Sequence, residues 1–99
     1  MTINTEVTNK TLVIQVGDKF DFSLVDKFRL AYEDMPAEIS QIDVDLAATQ
    51  YMDSSALGML LNMQKVLAGR KLTYRIINSQ PQIGRILEIS RFNKKFVIE

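Results

Sequence analysis

Apolar residues along this chain follow two spacings. Short β-branched runs alternate apolar and polar residues, and between them lie longer stretches with apolar positions three and four apart. Residues 5–7 and 11–16 read as two strands joined through Thr8-Asn9-Lys10, a hairpin, with Gly17-Asp18 as the next turn. Phe20-Asp21-Phe22 reads as a turn carrying two core aromatics. Ser23 then caps a helix with Leu24, Val25, Phe28, Ala31, Tyr32 and Met35 on one face, stopped by Pro36. Residues 41–46 alternate as a strand whose aspartates face one side or lie near its end, and 49–53 form a loop. Leu57, Leu60, Leu61, Leu67 and Ala68, flanked by Met63, make the stripe of a second helix. Gly69 ends it, with Arg70 and Lys71 in the last turn. Residues 72–77 form a strand. Ser79-Gln80-Pro81 opens a third helix that buries Ile83, Ile86, Leu87 and Ile89, and 96–98 close the chain as a strand. The order β-β-α-β-α-β-α-β predicts an α/β fold, in which the strand–helix–strand crossovers favour parallel pairing and the initial hairpin makes the sheet mixed.

Composition narrows the function. The chain has 99 residues, with 12 Lys+Arg against 12 Asp+Glu, and contains neither cysteine nor histidine. One domain over residues 1–99 is expected at this length. Thiol chemistry, disulfides and thiolate metal sites are excluded, as are the usual general base and the commonest metal ligand, so neither a metal nor a cofactor is expected. Balanced charge without a basic cluster argues against nucleic acid as a partner. No apolar run approaches the roughly 20 residues of a membrane span, and the first residues lack the pattern of a secretory signal. A cytoplasmic protein with no direct membrane insertion is the expectation. The charged residues of the first helix, Asp26, Lys27, Arg29, Glu33 and Asp34, read as a solvated face.

The segment Tyr51-Met52-Asp53-Ser54-Ser55-Ala56-Leu57-Gly58-Met59 lies between a strand and the leucine-striped helix. Asp53, Ser54 and Ser55 are all good caps, so one reading is simply a well-capped helix. One cap suffices, however, and three stand in a row. Projected at about 100° per residue, Ser55, Gly58, Asn62 and Lys65 lie together opposite the leucine stripe, bordered by Met59 and Val66. Such a small polar strip beside adaptable methionine suits a partner protein. For Met59 and Met63, core packing is the competing reading.

With these residues in view, the whole chain resembles the STAS domains of anti-sigma factor antagonists. The specific match is Ile42-Asp43-Val44-Asp45-Leu46 followed by Tyr51 to Leu60, with Asp53-Ser54-Ser55-Ala56-Leu57-Gly58 at its centre. Val16-Gly17, Phe20-Asp21 and Ser79 to Ser90 support it. The resemblance implies a single STAS-like domain and a role in partner switching. By motif position Ser54 is the residue phosphorylated by a serine kinase that is itself an anti-sigma factor. The unphosphorylated antagonist binds that kinase, phosphorylation releases it, and a PP2C-type phosphatase restores it. The branch this sequence resembles places kinase and phosphatase on one response regulator, with outputs such as biofilm or motility control. Asp53 and Ser55 support the phosphosite as cap or orienting group. Asp21, which the resemblance puts beside the Ser54 loop, and Met52, Gly58, Met59 and Asn62 are the partner-binding candidates. Gly58 has a physical rationale, since a residue without a side chain permits close backbone approach.

Two positions depart from the family pattern: Ala56 stands where many relatives have Gly, and Arg91 where a Ser-Gly pair is frequent. A different reading of the same resemblance is an accessory or ligand-sensing subunit of a transporter complex, without a phosphorylation cycle. An enzyme using Ser54 as nucleophile lacks a base, so the chain is expected not to be an enzyme.

Overall fold

Asn9 and Lys10 both take left-handed backbone, with φ of 51° and 65°. Two such residues in succession make a turn whose twist matches that of the strands it joins. The predicted hairpin therefore closes tightly, with Thr8 opposite Thr11. Its first strand begins at Ile3, earlier than residue 5, because pairing carries on to Ile3 opposite Val16.

The structure, a computed structural model, describes residues 3–99. In chain order its elements are β1 (Ile3–Thr8), β2 (Thr11–Val16), β3 (Lys19–Phe20), α1 (Val25–Glu33), β4 (Gln41–Asp45), β5 (Tyr51–Met52), α2 (Ser54–Val66), β6 (Thr73–Ile77), α3 (Pro81–Ile89) and β7 (Val97–Ile98). Single 3-10 turns precede α1 (Phe22–Leu24) and β7 (Phe92–Lys94). The main sheet has the order β1-β2-β4-β6-β7, and β3 and β5 form a separate two-stranded pair. β1 is antiparallel to β2 and every other pairing is parallel, so the sheet is mixed as the sequence predicts.

One face of the sheet supplies the core. Leu12, Ile14, Val16, Ile42, Val44 and Ile76 are buried in one cluster with Phe28 and Tyr32 of α1, Leu60 and Met63 of α2, and Ile83 and Leu87 of α3. Side chains alternate along a strand, so the intervening positions lie on the opposite face. These include Thr11, Gln15, Gln41, Asp43, Thr73 and Arg75, and none of them joins that cluster. Asp43 is nonetheless only 4% exposed. Arg75 covers it, donating from Nε to Oδ1 (2.9 Å) and from Nη2 to Oδ2 (2.7 Å), while Gln41 Nε2 donates to Oδ1 (2.8 Å). A further bond from Arg75 Nη1 to Glu99 Oε1 (2.8 Å) carries this polar ladder beyond β7. Burial pushes the Asp43 carboxyl up, but the hydrogen bonds from Arg75 and Gln41 and the guanidinium charge outweigh it and hold the group below the usual range.

Several expectations need correction. The buried row of α2 is Ala56, Met59, Leu60 and Met63, continued by Leu67 just past its end, so both methionines pack in the core and Leu61 lies past the seam at 38% exposure. Ile89, expected in the core, is 74% exposed at the end of α3. α2 stops at Val66 as Leu67 leaves helical backbone, and Lys65 is the cation of its last turn. Arg70 lies beyond the helix and donates instead to the carbonyls of Pro36 (2.8 Å) and Ala37 (3.2 Å). Arg91 has a φ of 61°. Glycine adopts that backbone freely, and an arginine there is an exception. No helix among the described residues is long and apolar enough to cross a membrane.

Candidate functional site

Thr49 is polar yet fully buried. Its hydroxyl donates to the carbonyls of Gly17 (2.9 Å) and Val16 (3.3 Å), while the amides of Gln50 and Tyr51 both donate to Asp18 O, at 2.8 and 3.0 Å. These bonds lash the loop after β4 to the loop after β2. They also bring Lys19 opposite Tyr51 and Phe20 opposite Met52, in the parallel β3–β5 pair. The expected loop over 49–53 thus contains a strand. Two residues are too few to show a period in sequence, and only the pairing defines it.

Each of these strands is followed by the same device. Asp53 is extended (φ −125°) and accepts hydrogen bonds from the Ser55 amide (3.0 Å), the Ser55 hydroxyl (2.5 Å) and the Ala56 amide (3.3 Å). Asp21 is likewise extended (φ −138°) and accepts from the Ser23 amide (3.0 Å) and the Ser23 hydroxyl (2.5 Å). Asp21, not the expected Ser23, is therefore the residue that starts the first helical segment. Two aspartate-capped helix starts thus follow directly on a pair of neighbouring strands.

Ser54 and Ser55 differ sharply in this arrangement. The Ser55 hydroxyl is committed to Asp53, whereas Ser54 is exposed and its hydroxyl has no hydrogen-bond partner among the described residues. The bond from the Ser55 hydroxyl is the largest influence on Asp53. With the amides of Ala56 and Ser55 it prevails over partial burial and holds the carboxyl below its usual range. The first turn of α2 accordingly carries a fixed negative charge beside a free hydroxyl.

Between α1 and α2 runs a groove of about 310 Å³. α2 lines it with Ser55, Gly58, Met59 and Asn62, and the opposite wall comes from Phe22, Val25 and Arg29. Four of the sequence-derived candidates thus converge on one surface. Met59, 7% exposed, lends it little area, and Met52, 5% exposed, does not line it. Asn62 hydrogen-bonds Tyr32, whose hydroxyl is pushed up by burial, with that bond acting in opposition. Gly58 is exposed, and a Cβ built there meets nothing within 4 Å. Packing within this fold therefore gives no reason for a glycine in mid-helix.

At this site, sequence reasoning misplaced Phe22, expected in the core with Phe20. Phe20 is fully buried, but Phe22 is 71% exposed at the mouth of the groove, because the chain turns into a 3-10 helix there instead of continuing extended. The usable signal was the repeated pattern Asp-x-Ser at 21–23 and 53–55, which gives residues 22 and 54 equivalent settings. Chemically the site offers a hydroxyl to a reagent brought from outside. The base closest in sequence to that hydroxyl, Asp53, is occupied as a cap.

Comparison with known proteins agrees with this geometry. The STAS domain model matches residues 2–99. A STAS-domain containing protein of Pseudomonas aeruginosa strain UCBPP-PA14 is 39% identical over 87 residues, covering 88% of this chain and 86% of the relative. Among solved structures, an anti-sigma factor antagonist from Mycobacterium paratuberculosis superposes with a TM-score of 0.82 at 20% identity, covering 98% of this chain and 83% of its own. The Bacillus cell fate determinant SpoIIAA in its phosphorylated form gives 0.68 at 19% identity, covering 99% and 91%. At these identities the structural likeness is one of fold.

Proposed function

The chain belongs to the STAS domain family, and from that premise we propose that it is an anti-sigma factor antagonist working by partner switching in the cytoplasm. Unphosphorylated, it binds a serine kinase that is the anti-sigma factor. Phosphorylation of Ser54 releases it, and a PP2C-type phosphatase, carried with the kinase on a response regulator, resets the cycle. The chain itself is a substrate and ligand, not a catalyst.

The observation that carries this reading is the contrast between the two serines, one hydroxyl free at the helix start and the other bound to Asp53. A SpoIIAA structure of the same fold in phosphorylated form supports it. Asp53 and Ser55 hold the loop in place. Asp21, Gly58 and Asn62 supply partner contacts, with the exposed edges of Met52 and Met59. The test is intact-mass spectrometry with site mapping on protein isolated from its native cells. An increment of about 80 Da on Ser54 that comes and goes with growth conditions supports the proposal; its absence under every condition rejects it.

Gly58 gives a second measurement. Exchange for alanine in a helix interior stabilises by roughly 0.5–1 kcal/mol, and the open space around this position accepts the methyl group. Gly58→Ala is therefore expected to raise the melting temperature by roughly 2–6 °C while weakening kinase binding. Thermal unfolding and titration of the same preparation separate the two effects.

A further inference from the structure

The balanced total conceals a separation of charge. Residues 1–55 carry ten anions against four cations, and residues 56–99 carry eight cations against two anions. The strands of the main sheet stand in chain order, so β1, β2 and β4 hold one side and β6 and β7 the other. α1 packs against β1, and α3 against the 3-10 turn at Phe92–Lys94. An asymmetry along the sequence thereby becomes one in space, an acidic side facing away from a basic side. The two anions of the basic side have places of their own: Glu99 accepts from Arg75, and Glu88 lines an adjoining hollow with Gly84.

On the basic side a groove of about 500 Å³ runs beside the short strand β7. Leu72, Tyr74, Phe96 and Val97 give it apolar walls, Lys94 and Lys95 give it charge, and no Asp or Glu among the described residues lines it. Tyr74 and Phe96 meet edge to face at 5.7 Å, Phe96 is buried, and Val97 is 48% exposed. Arg70 adds a third cation. Burial pushes the Tyr74 hydroxyl up, and the Arg70 charge acts on it in opposition. The Arg70 guanidinium is held by the carbonyls of Pro36 and Ala37, neutral groups that leave its charge in place, and Glu38 is the acid that this loop contributes.

We propose that this groove binds an acidic segment of another protein, seating an apolar side chain against Leu72, Tyr74 and Val97 and its carboxylates on Lys94 and Lys95. Complementary charge of this kind sets orientation and encounter rate. Single-stranded nucleic acid fits less well, because bases stack on exposed aromatic rings, and Phe92 and Phe96 are only 4% and 3% exposed. A membrane surface takes up protruding apolar side chains, whereas this site is concave. The site also stands apart from the modified hydroxyl. Gln64, which donates to the Lys95 carbonyl (2.7 Å), lies ten positions after Ser54 on α2, roughly 15 Å along the helix axis. Salt screens charges beyond about 8 Å, so the segment is held whether or not Ser54 carries a phosphate.

The experiment uses the full chain and a fluorescent, N-acetylated peptide with acidic residues on both sides of one leucine, binding being read by anisotropy. The parent is expected to bind it about 10-fold more tightly than the same peptide with amides in place of its acids. Glycine in place of the peptide's leucine should cost about fivefold. Lys94→Glu should weaken binding about 10-fold. Arg85→Glu makes the same change of charge at an exposed position of α3 that does not line the groove, and should weaken binding by under about twofold. Circular dichroism of both variants should match the parent, since both side chains are exposed. Ser54→Asp should bind the peptide like the parent; loss of binding there overturns the separation of the two sites. Equal losses in Lys94→Glu and Arg85→Glu mean attraction to net charge alone, and the groove is then not the site. Equal binding of the amide peptide also overturns the proposal. Phosphatidylglycerol vesicles or a uridine oligonucleotide bound more tightly than the peptide, or self-association of the parent that Lys94→Glu abolishes, give the groove a different occupant and overturn it as well.

Discussion

Ser54→Asp is expected to weaken binding to the kinase by about 100-fold or more and to leave the fold unchanged. Both halves follow from where the residue stands. Its side chain is exposed and makes no internal hydrogen bond among the described residues, so substitution removes nothing the fold uses. A carboxylate or phosphate there gains roughly 0.3–1 kcal/mol from the helix start and loses a similar amount to repulsion from Asp53. The melting temperature should therefore stay within about 4 °C of the parent. At the interface no such balance exists. Covering a new charge costs several kcal/mol unless it is paired, and about 3 kcal/mol already amounts to the 100-fold loss. Short-range desolvation wins. Calorimetric titration with differential scanning on the same variant decides the matter: parent-like affinity, or loss of affinity with unfolding, contradicts it. Ser54→Ala should bind like the parent and never acquire the phosphate.

The largest loss of stability is expected from Arg75→Met. Asp43 is 4% exposed and relies on Arg75 for two of its hydrogen bonds. Without the guanidinium, Gln41 alone faces a buried carboxylate. Leaving a buried charge uncompensated costs about 3 kcal/mol or more, which lowers the melting temperature of a domain this size by roughly 12–20 °C. The double variant Asp43→Leu/Arg75→Met should recover most of that, because an apolar pair of similar bulk leaves no orphaned charge.

Acid gives an independent check with a definite sign. The folded Asp43 carboxyl titrates below its unfolded value of roughly 3.9. Its contribution is therefore fully present above that value and is lost as pH falls through the lower, folded one. Asp53 shifts in the same direction and adds to the acid loss. In Arg75→Met, burial is left to push Asp43 upward, so protonation relieves the strain on that variant. The gap in melting temperature between parent and variant should shrink below about pH 4. A constant gap from pH 7 to pH 3 argues that Arg75 acts through packing alone.

The order of main elements was readable because each has a period: alternation in β2 and β4, three-and-four spacing in the helices. The Asp53-Ser54-Ser55 start of α2 was readable because capping chemistry is local. Features that depend on distant residues were not. The Arg75–Asp43 pair spans 32 positions and arises only from strand register. β3 and β5 are strands solely through each other. The core seam of α2 ran through methionines instead of Leu61, since leucines and methionines on adjoining sides of the helix leave its exact rotation to its neighbours. Phe22 reads as core in any hydrophobicity pattern, and only the turn after Asp21 carries it outward.

The lashing of the two loops through Thr49 and the Asp18 carbonyl has a consequence for how the hydroxyl is read. Held by a buried side chain and four hydrogen bonds, this segment lacks the slack to be drawn out as an extended strip into an enzyme's cleft. Under the proposed cycle, the kinase would have to come to the assembled surface and meet the serine where it stands, recognising shape and not a linear consensus. Short peptides copied from this stretch would then be blank to it, and changes that loosen the lashing would spoil recognition from a distance.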